Sequence, residues 1–536
     1  MSDSKNIARN EGASGPGRAE IAWLADVLGN AAYVSEAITQ LPGVASSGRV
    51  VNLRAAVEAT EDDGAASSAL RLFLLARAIS RHAAAGLLGS DERIAQLMEI
   101  GLLIPDEAGV VDSVRASCAI QCVNEGGDRY YLARDFAPDV LGGELADDHV
   151  LGVALATRSL AIRSVRRPVG AALDLGTGQG FQALLASRHS GRVVATDVSG
   201  RALRLAAWSC SMNAGMLARA GRIELREGGL YEPLREEEKF GLIVSNPPFM
   251  IAPPHGLVSV GGVGAKEAGD GAAFEGDEIV EAVLRGAPAW LEEGGYACVF
   301  CNWHHPDASS WRERPRAWLD GLGVDVLVQR LRTDSPEGYA SRWIREIGYS
   351  DDHASGPTQG IDRWIEYYAR LGIGGISLGM IYLRKRSAAA GGTPNWFRAD
   401  VLDEGRFAGE RSGQQVERIM RWQTVLERAA ENGGDGAVLL ETRPRLAPDH
   451  ELEQTLHAAL GEGWHVTGSL LRQTQGYQFP IRLQGGLMDL LVRFDGQSTL
   501  REIVETMATE AGADAGPMLS QAPMIVRRLG IDGYLE

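Results

Sequence analysis

Asn246, Pro247, Pro248 and Phe249 follow directly on the apolar run 242–245. Proline carries no N–H and its φ is fixed, so two in a row end sheet pairing. Asn246 precedes a proline and is pushed toward an extended conformation. The result is a carboxamide oxygen and a backbone carbonyl beside a flat aromatic ring, at the carboxyl end of a strand. Open α/β sheets bind ligands at that end. Two acceptors beside an aromatic face suit a planar group carrying N–H. Taken alone, the stretch is equally an ordinary proline-rich loop. Upstream, "LDLGTGQG" places Asp174 at a strand end and Gly176, Thr177, Gly178 and Gly180 in a tight turn. Glycine permits such a turn and lets backbone approach a ligand closely. A second strand, "VVATD", ends on Asp197, followed by Val198. A carboxylate there can hold two ribose hydroxyls.

These residues need a sheet to bring them together. Between about 150 and 387, strand-like runs ("AALDLG", "GRVVATD", "RIELREG", "FGLIVSN", "GYACVFCNW", "VDVLVQR", "ISLGMIYLRK") alternate with helical ones ("GFQALLASRHS", "SGRALRLAAWSCSMNAGM", "GDEIVEAVLRGAPAWL"). Alternation at this spacing predicts an α/β fold with a doubly wound, mainly parallel sheet. Residues 1–149 read as a mainly helical, winged-helix-like accessory domain, 150–390 as the sheet domain and 391–536 as a C-terminal accessory domain. In the last, Thr499 and Glu502 have capping-box spacing, and the segment also reads as winged-helix-like. The glycine-rich stretch 250–278 is expected to act as a substrate lid. Residues 333–372 are expected to form a helical cap beside it.

Nicotinamide dinucleotide and S-adenosylmethionine sites both use a glycine turn followed by an acidic strand end. Here the Asp-x-Gly-x-Gly-x-Gly turn, Asp197 and Asn-Pro-Pro-Phe after the fourth strand together resemble class I S-adenosylmethionine-dependent methyltransferases. The resemblance is to the small-domain group with this motif, which includes release-factor glutamine, adenine-N6 DNA and ribosomal guanine-N2 methyltransferases. It covers about residues 150–390 and implies a Rossmann-like methyltransferase sheet with S-adenosyl-L-methionine as cofactor. It also implies that 174–180 hold the methionine part and Asp197 the ribose. The adenine position falls at Gly229, where the group's usual carboxylate is absent and Glu227 or backbone would substitute. Asn246, Pro247 and Phe249 become the catalytic residues, with Asn246 also beside the cofactor. Asn213 matches a recurrent helix Asn of the group, or is simply a helix C-terminal residue. The C-terminal segment resembles the small helical-winged modules that hold leader peptides in peptide-maturation systems.

Composition narrows the partner. The 536 residues carry a formal net charge of −17, with 45% apolar and 23% charged residues. A phosphate-backbone binder usually shows a basic excess or stripe, and the clearest basic cluster is Arg158, Arg163, Arg166 and Arg167. It reads as the solvated face of a helix or as a local anion contact. The expected acceptor is therefore an amide nitrogen of a peptide or protein. The alternative is a guanine-N2 or adenine-N6 position of ribosomal or transfer RNA. Cys298 and Cys301 form a CxxC that lacks the second pair a zinc site needs, so the five cysteines point to no metal and to a reducing cytoplasm. No apolar run approaches the roughly 20 residues of a membrane helix.

Overall fold

The computed structural model describes residues 21–536 apart from 107–111, 142–147, 218–220, 254–273, 347–356, 387–394, 432–434, 460 and 462. Most of the expected lid, including His255, lies outside the described residues. The centre is an eight-stranded sheet: β1 Val169–Leu175, β2 Ser190–Asp197, β3 Arg222–Glu227, β4 Phe240–Ser245, β5 Leu291–His305, β6 Asp325–Asp334, β7 Gly375–Arg384 and β8 Phe397–Val401. Its order is β8-β6-β7-β5-β4-β1-β2-β3. All pairings are parallel except those of β7, which runs antiparallel to both β5 and β6. The order reverses between β1 and β4, the switch point where such sheets open a crevice. β4 is buried along its whole length, with Leu242 and Val244 in one apolar layer and Ile243 in the other. Burial on both faces is why these strands read as continuous apolar runs. The sheet does not stop at 390. β8 extends its edge beyond β6, because the Phe397–Val401 backbone finds an unpaired edge there.

Helices α1 Leu155–Arg163, α2 Phe181–Ser187, α3 Gly200–Met212 and α4 Glu278–Trp290 cover the sheet. Ahead of them, helices Ala65–Phe73, Arg81–Leu88 and Asp91–Glu99 alternate with strands Ile79–Ser80, Leu103–Pro105 and Ser113–Ala116. The last strand lies in the middle of an antiparallel three-stranded sheet, which is the winged-helix order. A second hairpin, Ala119–Glu125 with Asp128–Arg134, docks on α3. Asn213, at the end of α3, decides how. Its Oδ1 accepts the Tyr131 N–H at 3.2 Å, and its Nδ2 donates to the carbonyls of Tyr131 and Ser209, both at 2.7 Å. The Ala133 N–H donates to Ser209 Oγ at 3.0 Å. The helix end thus supplies the hydrogen bonds that a neighbouring strand would give the hairpin.

The C-terminal segment is built into the same core. Val416, Ile419 and Met420 of α7 Gly413–Glu431, numbered after the cap helices α5 Pro336–Glu346 and α6 Pro357–Arg370, share an apolar cluster with Leu242, Val244, Tyr296 and Cys298. Gly413 lets α7 start against the end of α1, since a Cβ there would lie 1.9 Å from the Ser164 carbonyl. The Thr499–Glu502 capping box is present in both directions, at 2.7 and 3.2 Å. The arginine cluster is not a solvated face. Arg163, 2% exposed, donates to Tyr477 Oη at 3.0 Å and to both Glu404 oxygens at 2.9 Å. Arg166 lies 3.8 Å from Glu125, and Arg167 donates to the Gly294 carbonyl and sits over the Tyr296 ring. Arg158 alone of the four stands in solvent.

Asn213→Ala strands a buried N–H and a buried carbonyl of Tyr131. Each costs roughly 1–3 kcal/mol. The expected outcome is an unfolding free energy lowered by about 2–6 kcal/mol at unchanged m-value.

Candidate functional site

The β1–α2 turn takes its shape from three left-handed glycines, Gly176, Gly178 and Gly180, at φ 75°, 54° and 86°. A Cβ at Gly176 or Gly178 would meet nothing within 4 Å, so open space lies against these two. At Gly180 it would press on Ala206 of α3 at 3.3 Å. Asp174 sits beneath the turn, fully buried, and accepts the Thr177 hydroxyl at 2.6 Å. Burial pushes its carboxyl up to about 7, against the opposing bond from Thr177. Asp197, at the end of β2, accepts the N–H of Gly178 and of Ser199, both at 2.9 Å. Its pKa is also raised by burial and held back by those backbone bonds. The carboxylate therefore ties the turn to β2. Past β3, Gly228 at φ 152° and Leu230 at φ 46° turn the chain sharply. A left-handed leucine is strained, and such strain gathers at ligand sites. Glu232 Oε2 accepts the Gly229 N–H at 3.2 Å.

The turn borders one cavity of about 990 Å³, which Gly176, Thr177, Gly178, Asp197, Val198 and Gly229 line. Asp174 and Gly180 shape the turn from outside it. Glu232 borders the cavity and Glu227 does not. The N-terminal unit closes the same end through His149 and Val150. That approach is fixed by Asp135, which accepts the Val150 N–H at 2.7 Å and is gripped by the Arg201 guanidinium.

The cavity runs on to Asn246, Pro247 and Phe249. Ser245 Oγ donates to the Leu175 carbonyl at 2.8 Å and locks the ends of β4 and β1 together. Beyond the prolines the backbone has no strand to pair with, and side chains take over. The Ile251 N–H donates to Tyr339 Oη at 3.2 Å, and Tyr368 Oη donates to the Ile251 carbonyl at 2.9 Å. Asn302 Nδ2, from β5, donates to Tyr339 Oη at 2.7 Å and to the Phe249 carbonyl at 3.4 Å. Tyr339 and Tyr368 belong to α5 and α6, the expected helical cap. The Phe249 ring meets Phe300 edge-on, 5.8 Å between centroids. Asn246 Nδ2 donates to Thr157 Oγ1 of α1 at 3.5 Å, while its Oδ1 is buried and has no hydrogen-bond partner. A buried acceptor without a donor is costly, and native structures keep one where a ligand supplies the donor.

Thr157, Glu232, Asn302 and Tyr339 were not among the sequence-derived candidates. Tyr339 falls in the stretch 333–372 expected to form the cap, and Asn302 in the strand-like run "GYACVFCNW". Just after that run, the His304 backbone N–H donates to Asp277 at 2.9 Å, and the His305 ring bonds Ser377 at 2.9 Å and the Asp307 carbonyl. Neither lines the cavity. Cys298 and Cys301 lie in opposite layers of the sheet.

Residues 153–255 match the family described as methyltransferase small domain. A release factor glutamine methyltransferase of Cereibacter sphaeroides is 36% identical over 154 residues, which are 26% of this chain and 49% of that protein. A ribosomal protein uL3 glutamine methyltransferase of Neisseria gonorrhoeae is 31% identical over 161 residues, 29% of this chain and 52% of that protein. The chain thus spans about half the length of the curated relatives it matches. An rRNA methylase structure from Streptococcus thermophilus aligns over 44% of this chain and 100% of that one, at 14% identity and a TM-score of 0.23. S-adenosyl-L-methionine is the cofactor of this class. The residues present fit it: an open glycine turn, a carboxylate at the end of β2 and an orphaned acceptor beyond them.

Two outcomes follow from this geometry. Asp197→Ala removes a tether of the turn and the carboxylate that the sequence resemblance expects to hold the ribose. Calorimetric titration with S-adenosylhomocysteine should show a Kd at least about tenfold higher, from roughly 1.5–3 kcal/mol. Asp174, with its pKa raised from 3.8 to about 7, keeps a proton in the folded state that the unfolded chain has released. Stability contributed there falls as pH rises between those values. Asp174→Asn should flatten that slope in denaturant melts run across the interval.

Proposed function

We propose that this chain, whose centre is a methyltransferase small domain, is an S-adenosylmethionine-dependent N-methyltransferase acting on a planar amide nitrogen of a polypeptide. The observation that carries the reading is the unpartnered Asn246 Oδ1 in the cavity that Asp197 also borders. When bound, the cofactor supplies a methyl group carried on a sulfonium. The chain's residues prepare the acceptor. An amide nitrogen is a poor nucleophile because its lone pair is delocalised into the carbonyl. Asn246 Oδ1 and the Pro247 carbonyl each accept one of its N–H bonds. That favours a pyramidal nitrogen with an exposed lone pair and stabilises the positive charge that develops on it. Phe249 offers its ring to the flat face of the group. Thr157, accepting from Nδ2, keeps the Asn246 oxygen turned to its task. The nitrogen sheds its proton to water after transfer, so no general base is needed.

A polypeptide acceptor is supported by the relatives, which are named as glutamine methyltransferases of release factor and of ribosomal protein uL3. It is also supported by the net charge of −17. Three arginines of the basic cluster are engaged within the chain. The third winged helix, Asp91–Glu99, carries Asp91, Glu92 and Glu99 against Arg93, a poor face for a phosphate backbone.

Incubation of the full chain with methyl-labelled cofactor, bacterial release factors, uL3 and total RNA should place label in protein, as N-methylglutamine. Label in RNA alone would overturn the reading. Asn246→Ala should lower that turnover roughly 10²–10³-fold and leave S-adenosylhomocysteine affinity unchanged. Near-wild-type turnover in this variant would remove the amide-gripping mechanism.

A further inference from the structure

Strand β6 carries a bulge. Arg330 stands opposite Gly379 and Arg332 opposite Leu378, so Leu331 between them has no partner in β7. Gly379 lets β7 close on the bulge, since a Cβ there would lie 2.2 Å from the Gln329 carbonyl. In a regular strand Leu331 and Arg332 would point to opposite faces. Here both border the cavity, and bulges re-aim side chains in this way beside active sites. Leu331 and Leu378 pack in one apolar cluster with Phe249. Helix α5 supplies a second arginine. One helical turn after Tyr339 come Arg342 and Trp343, and both border the cavity. Arg332 Nε lies 3.2 Å from Asp334 Oδ2, and Arg342 Nη2 meets the same oxygen. Two guanidinium groups thus share one acceptor atom. Among the described residues no other carboxylate pairs with either. Arg342 Nε is buried without a partner, and the Arg332 side chain is 45% exposed.

We propose that Arg332 and Arg342 bind a carboxylate of the acceptor polypeptide, carried by an acidic side chain next to the methylated amide or by the chain terminus. This rests on the amide reading of Asn246 and adds the neighbour that is recognised. One carboxylate against two guanidinium groups leaves one positive charge at the cavity, and a planar guanidinium fork matches a carboxylate bidentately. Of the carboxylates that line the cavity, Asp197 is engaged by the Gly178 and Ser199 N–H groups and Glu404 by Arg163. Neither neutralises the pair. β6 is three places from β4 in the sheet, on the side away from β2, which is about 14 Å at roughly 4.8 Å per strand. The carboxylate therefore lies to one side of the amide and away from the cofactor turn. A single carboxylate needs only this local charge, whereas a phosphate backbone would meet the −17 of the whole chain.

Calorimetric titration of the full chain loaded with S-adenosylhomocysteine tests this, using short glutamine peptides in matched pairs. In one pair the glutamine is followed by glutamate or by serine. In the other it is C-terminal, as free acid or as amide. The acidic member of one pair should bind at least about tenfold tighter than its neutral twin, and the pair that shows the difference identifies side chain or terminus as the source. Arg332→Gln should abolish the difference. Arg332→Glu should prefer a peptide with lysine in that place, a reversal that a merely structural role would not give. Equal affinities within both pairs, or a preference that survives Arg332→Gln, overturns the proposal. Methyl transfer to the same peptides is followed separately. Neutral peptides methylated at the same kcat/KM as acidic ones leave the amide reading standing and refute the carboxylate site. Acidic peptides that bind with the expected preference but are never methylated refute the amide reading and keep the site. A short RNA whose binding is lost in Arg332→Gln, with no peptide bound, assigns the pair to phosphate and overturns the proposal.

Discussion

A strand that ends in two prolines cannot hand its backbone to a neighbour, and the site follows from that constraint. β4 is buried and fully paired up to Ser245. Beyond the prolines the chain must still satisfy the carbonyl of Phe249 and both backbone groups of Ile251. Asn302, Tyr339 and Tyr368 do so. They come from β5, α5 and α6, far apart in sequence, so the turn is held by three separate elements. A rigid turn can keep Asn246 Oδ1 without a partner. In a looser one the oxygen would swing to water or to a backbone donor, and the desolvation penalty would vanish together with the site.

The accessory units belong to the same construction. The winged-helix unit and its hairpin are bonded to α3 through Asn213 and Ser209, and they bring His149 and Val150 to one end of the cavity. The C-terminal segment inserts α7 into the apolar layer under the sheet. Through Glu404 it reaches both the cavity and the buried Arg163. Arg163 lies at the end of the helix that carries Thr157, so the C-terminal segment buttresses the helix that orients Asn246. A separable tail that only catches peptide would need none of these bonds. Deleting it would expose the core of the sheet domain.

What the sequence revealed was local. The glycine turn, the acidic end of β2, the proline pair and the Thr499–Glu502 box each declare themselves within a few residues, because the backbone conformation they need is written in residue type. What it concealed was long-range. Arg163 reads as one member of a surface cluster until Glu404, 241 positions away, neutralises it. Tyr339 and Asn302, 37 positions apart, are unremarkable singly. The strand His450–Ala459 is rich in Glu, Gln, Leu and Ala, good helix formers, and its extended form is imposed by pairing with the β-prone Gly463–Gln473. β8 lies beyond the domain boundary expected at 390 and gains its identity only from the open edge of β6.

The most direct test of this account is Tyr339→Phe, which removes one hydroxyl that receives the Ile251 N–H and the Asn302 amide and lies outside the proposed chemistry. Methyl transfer to protein and S-adenosylhomocysteine affinity are measured on the same preparation. The account predicts a kcat at least about tenfold lower, the scale of one lost preorganising bond, with cofactor affinity nearly unchanged and a melting point lowered by the Ile251 N–H and Asn302 amide left without their acceptor. An unchanged kcat, or a cofactor affinity that falls in step with it, would contradict the claim that the turn after the prolines sets the acceptor geometry.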